Sequence, residues 1–273
     1  VAKHLNQIGE NEKAEVLAKR LEEYKRIIRI NCELKTSGLK QEQITAIQRK
    51  KILKDFSKIT SIPHDSNSFE LHRFNVPFYR TYDLYRIAFT NDLTGLVFYK
   101  YIFYNGHDGK VVNWISELFH NINSEESELD LDSVSAFFYL YIFLDFVGSD
   151  DGKFYSILKE DEIPWRLDIE IEPKVKAGIS KIFQSIQLIK EEEDAFFFEV
   201  FLHFVDRLFK ATFKVNRLTG LITMEDDEPI HIFKYEGKVI CNFETDLREL
   251  GFDFDKAMPF EKRFTTIEPI YND

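Results

Sequence analysis

Twelve residues, AFFYLYIFLDFV (136–147), constrain this chain more than any other stretch. All but Asp145 are apolar or aromatic, and a glycine-broken acidic turn, GSDDGK (148–153), follows at once. A helix that crosses a membrane needs about 20 consecutive apolar residues. This run is too short and holds a carboxylate, so it is expected in a protein core. Asp132 or Ser133 supplies a helix N-cap and Gly148 a stop, which predicts a buried helix over about 132–147. KFYSIL after the turn reads as a short strand. Asp145, if buried, requires a partner.

The run has relatives within the chain. FYKYIF begins at Phe98 and FYLYIF at Phe138, and AFFFEVFLHFV (195–205) matches AFFYLYIFLDFV in pattern. The unequal offsets argue against a fixed-period repeat. With 27 Phe and 15% aromatics, such matches arise from composition. Most of these rings are expected to be core.

Helical spacing of Leu17, Leu21, Tyr24 and Ile28 predicts a helix over 11–34. Ser37-Gly38 breaks it, and a second helix is expected over about 40–58, with Ile44, Ile47, Leu53 and Phe56 near one face and Pro63 as its stop. SGLKQEQITAIQ (37–48) is weighed as the start of a helix-turn-helix and set aside, because the pattern runs on without a tight turn. Residues 61–78, with two prolines, read as a linker or an extended crossing segment. DLYRIAF and LVFYKYIFY fit helix or buried strand equally, whereas 111–122 and 194–210 read as helices. ATFKV and LITME flank the five-residue loop NRLTG, and HIFKY and KVICNF flank Glu236-Gly237, so two hairpins are expected. Thr245 is expected to cap a short helix ended by Gly251.

The fold class is therefore α+β: an N-terminal helical hairpin or coiled-coil-like arm, a central helical aromatic-rich core, and a C-terminal antiparallel β-meander. The expected division is a basic helical arm, 1–60, and an acidic α+β globular domain, 61–273, with a sub-boundary near 160–178. Charge follows the same division. Residues 1–60 hold 14 Lys/Arg against 8 Asp/Glu, a net +6, while 61–273 hold 22 against 39, a net −17. A basic segment on an acidic body suits docking to nucleic acid, to an anionic membrane, to an acidic partner or, the plainest reading, back onto its own body.

Motifs for chemistry are sparse. GSDDGK and GHDGK (106–110) are too short for a P-loop and lack its hydroxyl residue. Aligned as a calcium loop, the first would place Val147 and Leu158 at ligand positions. His64-Asp65 and His107-Asp108 sit in turn-like surroundings rather than on a metal-binding helix. No GxSxG elbow occurs. MEDDEP (224–229) reads as a solvated acidic turn, with a basic partner or a metal as the sharper alternatives. On a helix over 194–210, Glu199, His203 and Asp206 would share one face at i, i+4 and i+7, where they could bind a divalent ion or orient a general base. Arg207 and Lys210 beside them favour a solvated ion-paired face instead.

Cys32 and Cys241 fit no metal or redox spacing and read as reduced thiols, which suits the cytoplasm. No leader pattern opens the chain at Val1. No cofactor is implied. The favoured function is a non-catalytic macromolecule-binding protein that uses its basic arm. A protein partner is expected first, nucleic acid through the basic residues of 1–60 second, and self-association suits a long amphipathic arm. The alternative is an enzyme with a dispersed, metal-dependent hydrolytic site that includes Glu199, His203 and Asp206.

Overall fold

The computed structural model describes residues 38–60, 69–90, 97–113, 115–125, 128–149, 152–158, 160, 173–204, 207–232, 234–235 and 238–239, together with Glu15 and Ala18. Of the helix expected over 11–34 only Glu15 and Ala18 are described, and the helix expected after Thr245 lies outside the described residues. The fold is mixed α+β, with two main antiparallel sheets and a C-terminal strand meander. The chain forms two compact units. Unit 1 takes 1–75, 82–112 and 242–268, and unit 2 takes 76–81, 113–241 and 269–273.

Unit 1 carries a five-stranded sheet in the order β1 (Lys40–Glu42), β2 (Phe69–Asn75), β3 (Asp83–Thr90), β4 (Val97–Tyr104), β5 (Gly109–Val111), with every neighbouring pair antiparallel. The open choice for 83–104 thus resolves as strand. Helix α1 (Ala46–Ile59) begins later than the sequence pattern suggests. Thr45 and Gln48 form a capping box that fixes the first turn, and Lys40–Glu42 pair with β2 instead. Ile52 and Phe56 of α1 enter one core with Phe69, Tyr85, Ile87, Ile102 and Tyr104. The Phe56, Tyr85 and Tyr104 rings meet edge to face at 5.2–5.8 Å, an arrangement that adds to simple area burial. The Tyr104 hydroxyl lies 2.7 Å from Asp55 Oδ2 and 2.8 Å from the Gly106 carbonyl. Alternate positions on the opposite sheet face, Phe74, Leu84, Tyr101 and Phe103, are also buried. Burial on both faces explains why these strands lack a clean period-2 pattern.

Unit 2 is built on α3 (Ser133–Phe146), the opening run of the sequence. Asp132 caps it by accepting from the Val134 and Ser135 backbone N–H groups, and Ser135 returns a bond to the Asp132 N–H. Ten of its fourteen residues are buried, including Asp145 at 8% exposure. α3 packs on a sheet ordered β11 (Ile222–Ile232), β10 (Arg207–Asn216), β9 (Ala195–Phe204), β7 (Gly152–Ser156), β6 (Gly148–Ser149), with β8 (Gln187–Glu191) also against β9. α2 (Glu117–Asn123) and α4 (Pro173–Ile182) complete it, and β12 (Lys234–Tyr235) pairs with β13 (Lys238–Val239) as the second expected hairpin.

Two helix expectations are corrected here. Ala195–Phe204 and Arg207–Asn216 are long strands where a helix is expected over 194–210, because aromatic and β-branched side chains buried on both faces of a central strand imitate a buried helix. The helix expected over 111–122 shortens to α2, and Val111 closes β5 instead.

A buried polar clamp holds unit 2. The Tyr79 hydroxyl donates to Asn123 Oδ1, while Asn123 Nδ2 donates to the Tyr139 hydroxyl and the Thr219 carbonyl. The Tyr139 hydroxyl then donates to the Gly220 carbonyl. The segment 76–81 enters by the same logic. The buried Glu128 carboxylate accepts from the Thr81 N–H and hydroxyl, each at 2.8 Å. Of the stretch 61–78, expected as a linker or an extended crossing segment, 61–68 lies outside the described residues and 69–75 is strand β2, while the chain leaves unit 1 after Asn75 and returns at Tyr82.

Candidate interaction surfaces

The residues singled out for metal or acid–base chemistry separate once β9 is a strand. Glu199 and His203 lie four residues apart along it, roughly 13 Å at strand rise. Glu199 pairs with Lys210 Nζ at 3.3 Å, from the neighbouring position pair of β10. His203 is 3% exposed, in register with Leu208 on one side and Tyr155 on the other. Asp206 lies outside the described residues. Among the described residues, no group of three or more His, Cys, Asp and Glu gathers at metal-binding distance.

The acidic and glycine-broken motifs resolve into local structure. His107-Asp108 occupies the β4–β5 turn, where both backbone N–H groups donate to Asn105 Oδ1. Lys110, 2.6 Å from Asp108, holds that carboxyl below its usual range. His64-Asp65 lies outside the described residues. GSDDGK spans the β6–β7 hairpin. MEDDEP is not a turn: it runs inside β11, and its side chains are exposed. Among the described residues β11 pairs with β10 alone and is the edge strand of its sheet. Its carboxylates, Pro229 and two register irregularities are features that discourage nonspecific strand pairing.

The outer face of α1 is the second charged surface. At 100° per residue, Ile47, Lys50, Lys51, Lys54 and Lys58 fall within an arc of about 100°. All five are exposed, and Ile47 is 85% exposed. The opposite side of the helix carries Ile52, Leu53 and Phe56 into the core, so the lysine face has a fixed direction. Lys51 Nζ donates to the Gly106 carbonyl at 3.3 Å and Lys58 Nζ pairs with Asp55 at 2.7 Å. Lys50 and Lys54 have no ion-pair partner among the described residues. Ile47, expected near the apolar face with Leu53 and Phe56, lies about 180° from Phe56 at 100° per residue and faces outward once Phe56 is in the core.

No helix among the described residues is long and apolar enough to cross a membrane. Among known proteins, no family model, no curated protein and no solved structure matches the chain.

Proposed function

We propose that this chain is a non-catalytic binding protein whose basic N-terminal segment, residues 1–60, receives an acidic protein surface on the lysine face of α1. One observation supports the reading above the others: four exposed lysines and an exposed isoleucine share one face of a helix whose other face is anchored in a core. An anchored helix presents its charges without the entropy cost of ordering a free segment. Exposed pairs of this kind are individually weak and screened by salt, so they act together and set encounter rate and orientation more than affinity.

The test is direct binding of a fluorescent polyglutamate peptide by fluorescence anisotropy. The peptide should bind at about 0.05 M salt and be released at about 0.5 M. Lys50→Glu with Lys54→Glu should weaken binding at least about tenfold through lost attraction and added repulsion. An unchanged affinity in that variant overturns the assignment to α1. Single-stranded RNA in the same assay addresses the nucleic-acid reading. Tighter, steeply salt-dependent RNA binding lost in the same variant would replace the protein partner by a phosphate backbone.

A further inference from the structure

We infer that the partner seated on the lysine face of α1 is the acidic edge strand β11 of a second copy of this chain. The inference rests on the reading of α1 as a docking face and names its occupant. The two surfaces match in sign and in length. Lys50 to Lys58 span about 12 Å at helical rise. Glu225, Asp226, Asp227 and Glu228 span about 10 Å at strand rise, and all four are exposed. Each charged stretch is headed by an exposed apolar side chain. Ile47 stands three residues before Lys50, and Met224, 48% exposed, immediately precedes Glu225.

Charge also selects against the other self-contacts. Two copies of β11 edge to edge would oppose acid to acid, and two α1 faces would oppose lysine to lysine. The heterologous contact, α1 on β11, is the attractive combination of these surfaces. Lys50 and Lys54 are the available cations. On the strand, Glu228 is exposed and lies 3.9 Å from the half-buried Lys210, which is nearer to Glu199 at 3.3 Å. The contact closes as a two-fold dimer when both α1–β11 pairs of two copies form at once, and otherwise continues into a ring or an open chain.

The test is sedimentation velocity of the full chain across a concentration series, with far-UV circular dichroism to verify folding. At about 0.05 M salt the mean mass should rise with concentration to a dimer or beyond, and it should return to the monomer at about 0.5 M. Changing Lys50, Lys51, Lys54 and Lys58 together to Glu makes both surfaces acidic, and changing Glu225, Asp226, Asp227 and Glu228 together to Lys makes both basic. Each variant alone should remain monomeric, and an equimolar mixture should associate again. If the glutamate variant does not fold, Lys50→Gln with Lys54→Gln takes its place, with a weakened association as the expected result. A wild-type monomer at every concentration and salt, an assembly indifferent to these variants, or a mixture that stays monomeric overturns the inference. Polyglutamate binding that survives alongside a wild-type monomer leaves the docking face standing and removes only the second copy as its occupant. Loss of both removes the docking face as well.

Discussion

Gly220 and Tyr139 show how single side chains set the geometry of unit 2. Gly220 has φ +64°, and a Cβ there would lie 2.5 Å from Asn123 Nδ2 and 2.8 Å from the Tyr139 hydroxyl. Gly220→Ala therefore combines left-handed strain with a collision into a buried hydrogen-bonded clamp, and should cost about 2–4 kcal/mol in chemical denaturation. Tyr139→Phe removes the hydroxyl that bridges Asn123 to the Gly220 carbonyl, and should cost about 1–2 kcal/mol. Burial also raises the phenols. It pushes Tyr85 up to about 12, and it raises Tyr104, next to Asp55, and Tyr139 as well. A phenol raised in the folded state contributes stability that is fully present below its unfolded pKa, about 10. That contribution is lost as pH rises through the folded value. The melting temperature should hold to about pH 9 and fall from about pH 10 upward. Tyr85→Phe should blunt that decline, and an unchanged alkaline slope in this variant would contradict the assignment.

The three phenylalanine-rich segments make the case for elements. FYKYIF is part of β4, AFFYLYIFLDF is α3, and AFFFEVFLHF is β9. Composition and local pattern are nearly shared, yet one is a helix and two are strands. The helix is the one preceded by Asp132 with Ser135 three residues on, a reciprocal cap that settles the first turn. The strands are extended by their neighbours: β9 lies between β10 and β7 and pairs with β10 over all ten of its residues. Asp132→Ala should cost about 1 kcal/mol, read as a drop of about 2–4 °C in melting temperature. α1 makes the complementary point. Phe56→Ala should cost about 3–5 kcal/mol because it empties the space between Tyr85 and Tyr104. Ile47→Ser, on the lysine face, should change stability by less than about 0.5 kcal/mol.

Across the molecule, charge and compactness divide the chain differently. The net positive charge lies in residues 1–60. Part of that segment, α1, is nevertheless a core element of unit 1. Deleting residues 1–60 therefore takes Ile52, Leu53 and Phe56 with the lysines. The truncated chain should lose part of the near-ultraviolet circular dichroism that Tyr85 and Tyr104 give when packed against Phe56. A spectrum and melting curve like those of the full chain would show that α1 is dispensable to the core. For this reason charge-reversal variants, rather than truncation, are the suitable probes of binding.

Much of this architecture was legible from residues alone. The α3 helix and its cap, the strand after GSDDGK, the NRLTG hairpin and the mixed α+β class follow from capping residues, turn residues and run lengths, which act over a few positions. Residues 194–210 and the grouping of Glu199 with His203 were not legible. A segment buried on both faces has no polar side to reveal its period, so helix and strand read alike until a neighbouring strand supplies the hydrogen bonds. The same choice moved Glu199 and His203 roughly 13 Å apart and made the acidic MEDDEP a strand edge instead of a turn. The outward lysine face of α1 lay between these cases. Its spacing was present in the sequence, but which side faced the core was settled by Phe56 meeting Tyr85 and Tyr104, contacts with residues 29 and 48 positions away that no local pattern encodes.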